Sequence, residues 1–154
     1  PYPKLALKGL NKIIPKDLNP ENKERLTNNF DASITYSRQI GNIYTGSLYL
    51  GLLSLLEQSQ DLKAGDKIGF FSYGSGAVSE IFSGRLVEGY KDLLRSDRLD
   101  TFAKRQQLSV ADYEKLFYEE AQLDDTGSTQ FADYQTGAFR LAEISEHQRI
   151  YKGH

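Results

Sequence analysis

Leu48-Tyr49-Leu50-Gly51-Leu52-Leu53-Ser54-Leu55-Leu56 decides the fold class when it is read with Lys67-Ile68-Gly69-Phe70-Phe71-Ser72-Tyr73. The first stretch is apolar almost all round, which predicts a helix buried on every side. Gly46 and Gly51 are small enough to let another backbone approach it closely. The second stretch is a short continuous apolar run of the kind expected for a central strand. A buried helix beside such a strand, within an ordered alternation of helices and strands, points to a layered α/β structure.

Upstream, Lys4 to Ile14 carries Leu5, Leu7, Leu10, Ile13 and Ile14 at mainly helical spacing, and Pro15 ends the segment. A short amphipathic helix is predicted. Lys4, Lys8 and Lys12 recur every four residues along its other side. Positive charge in a first turn opposes the helix dipole unless an anion sits there, so the stripe reads either as a solvated face or as part of a phosphate site. Asn19-Pro20-Glu21 is a compact helix start, with Asn as cap, Pro in the first turn and Glu complementing the dipole. That helix is expected to reach Phe30 or Ala32. Ile34 to Ile40 is richer in β-branched and aromatic residues and leads into Gly41-Asn42-Ile43-Tyr44-Thr45-Gly46-Ser47. Asn42 therefore stands just before the apolar helix.

Downstream, Gly74-Ser75-Gly76 breaks the strand, and Val78, Phe82 and Leu86 recur at even spacing through Ala77 to Val87. This predicts a strand returning antiparallel beside the first, with Ser75 at the hairpin end. Ser96-Asp97 opens a predicted helix to Gln107. Ser109 followed by Asp112 opens another, with Tyr113, Leu116 and Phe117 on one face. Asp124 to Gly137 is polar and aperiodic. Phe139, Leu141 and Glu143 alternate with Arg140, Ala142 and Ile144, which reads as a final strand, with a helix from Ala138 to Tyr151 as the alternative drawing.

The 154 residues, 39% of them hydrophobic, are enough for one sizeable core. With 19 basic and 21 acidic side chains the net charge is −2, which gives no global attraction to nucleic acid or anionic membrane. Any phosphate site must be local. There is no Cys and no Met, which excludes disulfides, thiolate metal sites and a thiol nucleophile. Together with Pro1-Tyr2-Pro3, these absences predict a piece of a longer polypeptide. No run approaches the roughly 18 apolar residues of a membrane helix and no hydrophobic leader is present, so a cytoplasmic location is expected. His147 lies in a charged stretch with Glu146 and Arg149, and His154 is terminal. Without clustered carboxylates the two make a poor catalytic or metal centre, and no metal is expected.

Two short motifs carry chemistry. Gly74-Ser75-Gly76 can offer backbone N–H groups and a hydroxyl to a carbonyl or phosphate oxygen, but it lacks the lysine and spacing of a nucleotide-binding loop and equally suits a plain hairpin turn. Asn42 is a cap or turn residue, or an amide donor held rigidly by the helix that follows.

Three stretches, Pro1-Tyr2-Pro3-Lys4-Leu5-Ala6-Leu7-Lys8-Gly9, Gly41-Asn42-Ile43-Tyr44-Thr45-Gly46-Ser47-Leu48-Tyr49 and Ile68-Gly69-Phe70-Phe71-Ser72-Tyr73-Gly74-Ser75-Gly76, together resemble the C-terminal part of bacterial 3-hydroxy-3-methylglutaryl-CoA synthases, members of the thiolase superfamily. The match extends through Leu86-Val87-Glu88-Gly89-Tyr90 and loosely to the end. The resemblance implies the C-terminal half of a thiolase-like layered α/β fold, a mixed sheet with a buried helix and flanking helices. Residues 1–95 and about 136–151 would form its core, and about 96–135 a helical insertion and loop.

The resemblance also implies an acyltransferase that joins acetyl-CoA to acetoacetyl-CoA in the mevalonate route to isoprenoids. In that family a cysteine carries the acetyl group, a glutamate removes its methyl proton and a histidine assists attack on the ketone. The first two belong to the N-terminal part and the histidine to the position just before Pro1, so all three are expected outside this chain. Lys4 and Lys8 match lysines near the CoA phosphates, Asn42 the asparagine beside the acyl group, and Ser75 the serine of the same pocket. Tyr44 is a lining candidate, and Lys12 remains an ordinary surface lysine. The implied partners are the acyl-CoA substrates, the N-terminal part of the same enzyme and a second copy in a homodimer, with no nucleic acid, membrane or further cofactor. The chain alone is expected to be inactive and to expose apolar surface. A stand-alone acyl-CoA-binding or interaction module is the alternative, and another condensing enzyme such as a ketoacyl synthase is disfavoured by the contexts of Asn42 and Ser75.

Overall fold

The computed structural model describes residues 3–74, 76–131 and 139–153. Ser75 and His154 lie outside the described residues. The chain divides into two compact units, Pro1–Ser96 and Asp97–His154.

The first unit contains α1 (Pro3–Ile13), α2 (Pro20–Ile40), α3 (Gly46–Gln58), β1 (Lys67–Tyr73), β2 (Ser79–Arg85) and a 3-10 turn at Tyr90–Leu93. Asn19 caps α2 as expected, its side-chain oxygen accepting the Asn22 N–H at 2.8 Å. The helix does not stop at Phe30 or Ala32 but continues to Ile40. Packing against α3 outweighs the β-branched bias of Ile34 to Ile40. Ser54 of α3, fully buried, donates to the Ala32 carbonyl at 2.6 Å and accepts the Tyr36 N–H at 3.2 Å. A Cβ on Gly51 would come within 3.4 Å of the Ser33 carbonyl, so this glycine is where the two helix backbones close up. Tyr36, 1% exposed, fills the space between the helices. Its hydroxyl donates to Glu57 Oε2 at 2.5 Å and accepts from Gln58 Nε2 at 3.2 Å.

The expectation that α3 is buried on every side is corrected. Ser47, Ser54 and Leu55 are buried, whereas Tyr49 is 63% exposed and Leu48, Leu50, Leu52 and Leu53 are half-buried. Among the described residues α2 and β1 are the elements that pack against it, and Tyr49 on its remaining face is exposed.

Strands β1 and β2 pair antiparallel with Phe70 opposite Phe82, their rings stacked at 4.8 Å. β1 has the predicted bounds, and β2 is shorter than Ala77 to Val87. The connection is closed by the Gly74 N–H on the Val78 carbonyl at 2.9 Å and the Ala77 N–H on the Gly74 carbonyl at 3.1 Å. Tyr90 donates to the carbonyl of buried Leu62 at 2.9 Å, which ties the 3-10 turn to the loop before β1.

The second unit contains α4 (Arg98–Ala103), α5 (Val110–Tyr118), β3 (Thr129–Gln130), β4 (Phe139–Ser145) and β5 (Gln148–Gly153). α4 ends four residues short of the predicted Gln107. Ser109 caps α5 as expected, accepting the Asp112 N–H at 3.1 Å and donating to Asp112 Oδ2 at 2.6 Å. The final strand predicted over Phe139 to Ile144 is present as β4, and β5 returns beside it as a hairpin where the alternative drawing places a helix from Ala138, which lies outside the described residues, to Tyr151. The hairpin's two turn residues, Glu146 and His147, both take left-handed backbone angles (φ 47° and 65°) that glycine or asparagine normally fills. The neighbouring loop over-determines this conformation: the Glu146 N–H donates to Ser128 Oγ at 3.1 Å and the His147 N–H to the Gly127 carbonyl at 3.0 Å. The aperiodic Asp124 segment is thus a built clamp, and a side chain on Gly127 would collide with the His147 ring.

Asp124 organises that clamp. Its Oδ1 accepts from the Thr126 hydroxyl at 2.7 Å and from the Ser128 and Thr126 N–H groups at 2.9 Å each. The Thr126 hydroxyl, and then these two N–H groups, hold its carboxyl below the ordinary aspartate range. A lowered folded value means that its stabilisation is fully present above the unfolded value of about 4 and is lost as pH falls through the folded value. Nuclear magnetic resonance (NMR) titration should show the Thr126 and Ser128 amide signals moving together below about pH 4, and Asp124→Asn should abolish that step.

The α/β class holds, with the sheet present as two separate antiparallel pieces among the described residues, β1-β2 and β3-β4-β5. Among the described residues the buried apolar side chains are few: Tyr36, Leu55 and Leu62 in the first unit and Ala142 in the second. Two self-contained domains of these sizes would expose about 9,500 Å² together. The chain exposes 12,121 Å², including the apolar side chains of Tyr49, Val78, Ile81, Val87 and Leu93. No described helix is long and apolar enough to cross a membrane.

Candidate functional site

The loop between α2 and α3 is the most tightly specified element near a predicted site residue. Gly41 ends α2 with a left-handed φ of 83°, and its N–H donates to the Ser37 carbonyl at 2.8 Å. Asn42 then turns the chain, its Oδ1 accepting the Tyr44 N–H at 2.7 Å. Tyr44 takes φ 54°, a strained conformation for an aromatic residue, and its side chain is 81% exposed. The Gly46 N–H donates to the Ile43 carbonyl at 3.2 Å and the Ser47 N–H to the Tyr44 carbonyl at 3.0 Å, so the loop runs directly into α3. A Cβ on Gly46 would sit 3.1 Å from Ile43 Cδ1, which explains the small residue at the start of the helix.

This geometry decides which way the Asn42 amide faces. A backbone N–H can only donate, so the side-chain atom facing Tyr44 N must be the oxygen. The Nδ2 group, with two hydrogens and no partner among the described residues, is left to the exposed side. A preorganised amide donor of this kind suits an oxygen that gains negative charge. Asn42 is thus a turn residue through Oδ1, and its Nδ2 is left without a partner among the described residues.

Lys4 and Lys8 lie one turn apart on α1, both exposed, and the first turn holds no acidic residue. Two cations at this spacing repel mildly and oppose the helix dipole, an arrangement that an anion would relieve. Lys12 falls in the last turn, where positive charge is favourable. Gly9 brings α1 onto β1, since a Cβ there would be 3.7 Å from the Phe71 ring. The structure thus places Lys4 and Lys8 on one helix and Asn42 and Tyr44 in one loop of the same unit, and no hydrogen bond among the described residues joins the two pairs. Ser75 lies outside the described residues, and its neighbours Gly74 and Gly76 stand in the β1–β2 turn.

Sequence reasoning passed over Ser47 and the Tyr36–Glu57 contact. The signal was a small polar residue on an otherwise apolar helix, visible at Ser47 and again at Ser54, seven residues on. Two surface depressions border β3 and β4, and none of Lys4, Lys8, Asn42 and Tyr44 lines them. Among the described residues no group of three or more His, Asp or Glu side chains could hold a metal ion.

Residues 5–154 match the family model described as hydroxymethylglutaryl-coenzyme A synthase C terminal. A hydroxymethylglutaryl-CoA synthase of Enterococcus faecalis is 48% identical over 125 residues, covering 80% of this chain and 32% of that protein. The Saccharomyces cerevisiae synthase is 30% identical over 149 residues, covering 92% of this chain and 29% of its own length. Among solved structures, an HMG-CoA synthase complexed with CoA superposes with a TM-score of 0.82 at 64% identity, covering 98% of this chain and 39% of that one. A Streptococcus mutans protein does so with a TM-score of 0.80 at 60% identity, covering 99% of this chain and 40% of that one. The chain spans about a third of the length of the curated relatives it matches. By sequence and by fold, it belongs to the hydroxymethylglutaryl-CoA synthase family, in the part that the C-terminal family model describes.

Proposed function

We propose that the polypeptide carrying this chain condenses acetyl-CoA with acetoacetyl-CoA to hydroxymethylglutaryl-CoA, and that this chain contributes part of the acyl-CoA pocket. The observation that carries the reading is the Gly41–Ser47 loop, which commits the Asn42 oxygen to the backbone and leaves its Nδ2–H donors available. Enolate formation and carbonyl attack both build negative charge on oxygen, and one preorganised donor contributes about 3 to 4 kcal/mol to such a transition state. Ser75 would add a hydroxyl donor in the same pocket and Tyr44 part of its wall.

A chain without cysteine cannot form the acetyl-thioester on itself. The reading therefore assigns the acetyl-carrying cysteine, the proton-abstracting glutamate and the histidine to the remainder of the enzyme, and expects no turnover from residues 1–154 alone. The relatives' greater length and the apolar surface exposed here support this over a stand-alone module. In this reading the remainder packs against the open side of α3, residues 1–95 and about 136–151 are assigned to the thiolase-like core, and about 96–135 is an insertion. The homodimer and the cytoplasmic location rest on the family resemblance, and the substrates are the only small molecules that the reading requires.

Lys4 and Lys8 are assigned to the CoA phosphates. Both are exposed, so their joint contribution is about 1 kcal/mol and sensitive to salt. In the full-length enzyme, Lys4→Gln with Lys8→Gln should raise the acetyl-CoA Kd about fivefold at low ionic strength and less at high. An unchanged Kd at low salt removes the two lysines from the site. Thiol release from both acyl-CoA substrates tests the reaction itself, and turnover by residues 1–154 alone would contradict the division of roles.

A further inference from the structure

We infer that Ser47 is a positioning residue for Asn42, fixing which face of its amide the site receives; this rests on the reading of Asn42 as the donor to substrate. Ser47 is 7% exposed and reaches three successive loop residues. Its Oγ accepts the Ile43 N–H at 3.0 Å, its own N–H donates to the Tyr44 carbonyl at 3.0 Å, and its Oγ–H points to Asn42 Oδ1 at 3.4 Å. The last contact is long for a hydroxyl bond, so it supports, at modest strength, the orientation that the Tyr44 N–H imposes. With the Tyr44 N–H it surrounds Asn42 Oδ1 with two donors.

The alternative amide rotamer would turn Nδ2 towards the Tyr44 N–H and lose the acceptor that this N–H needs. Ser47 adds to the same penalty, because its hydroxyl proton would lose the Asn42 oxygen as its acceptor. The residue therefore acts on the amide at two levels, by closing the loop backbone and by holding the oxygen side of the amide inward. A site that needs its donor placed to within a fraction of an ångström depends on this kind of support.

The test is a double-mutant cycle in the full-length enzyme. Ser47→Ala should lower kcat about tenfold while leaving KM for either acyl-CoA within about twofold, because it disturbs a transition-state contact rather than ground-state binding. Introduced on top of Asn42→Ala, the same change should have less than about a twofold effect. A loss that persists undiminished without Asn42 overturns the inference, since Ser47 then acts elsewhere. The near-isosteric Ser47→Cys, which keeps a weak donor and acceptor, should recover part of the rate and serves if the Ala variant does not fold. Failure of the underlying reading is separable. If Asn42→Ala leaves kcat unchanged, Asn42 is not the donor, and the positioning role is then judged by nitrogen-15 NMR of the Asn42 side-chain amide. That signal should shift and exchange faster with water in Ser47→Ala, and an unmoved signal overturns the inference whatever the activity.

Discussion

Replacing Asn42 by Ala in the full-length enzyme should lower kcat by about 10²- to 10³-fold, the range for losing one preorganised oxyanion donor. The two Nδ2 hydrogens have no partner among the described residues, whereas the Ile43, Tyr44, Gly46 and Ser47 N–H groups are committed within the loop. Alanine also removes the Oδ1 acceptor that turns the chain at Tyr44, and part of the loss would come from a loosened loop. Asn42→Asp separates the two effects: it keeps the acceptor and hence the turn, but replaces the donors with a negative charge where negative charge develops. Its kcat should fall at least as far as that of the alanine variant while the unfolding midpoint stays near the parent value. Thiol release under saturating substrates measures the first quantity and a thermal scan the second. A kcat within about threefold of the parent in both variants would remove Asn42 from the reaction.

Tyr36→Ala carries the largest expected effect on stability. Tyr36 is the one large side chain that is fully buried among the described residues, and deletion of a buried aromatic ring costs about 3 to 5 kcal/mol. That is a large share of the 5 to 15 kcal/mol available to a typical domain, and the thin core of this unit leaves little to compensate. Tyr36→Phe keeps the ring and removes only the hydroxyl that donates to Glu57 and accepts from Gln58, at about 1 to 3 kcal/mol. The graded pair should appear as two steps in urea midpoint, with the Ala variant also losing the helical signal of α2 and α3. Equal midpoints for the two variants would show that the hydroxyl network, and not the ring, holds the helices together.

Much of the fold was legible because local rules acted without opposition. The caps at Asn19 and Ser109 are satisfied by the predicted side chains, and β1 has the predicted bounds because a bounded apolar run has few other uses. The failures occur where distant residues decide. Ile34 to Ile40 favours strand locally, but Ser54 and Tyr36 tie that segment to α3 and keep it helical. The Glu146-His147 turn was invisible because neither residue prefers a left-handed backbone, and the hydrogen bonds that impose it come from Gly127 and Ser128, nearly twenty residues away.

The site divides in the same way. By itself the sequence determined the family, through the order and spacing of three stretches, and the list of candidates: Lys4, Lys8, Asn42, Tyr44 and Ser75. It also excluded an acyl-thioester on these residues, since a thioester needs a sulfur that no residue here supplies. Only the tertiary structure decided the orientation of Asn42, because which amide atom is left unpartnered follows from the Tyr44 N–H and the Ser47 hydroxyl, contacts that exist once the loop has closed onto α3. It also decided that α3, apolar all round, is covered here on one side alone. Hydrophobicity says that a surface must be buried, and only the packing of the folded chain says which part of that surface this chain can bury itself.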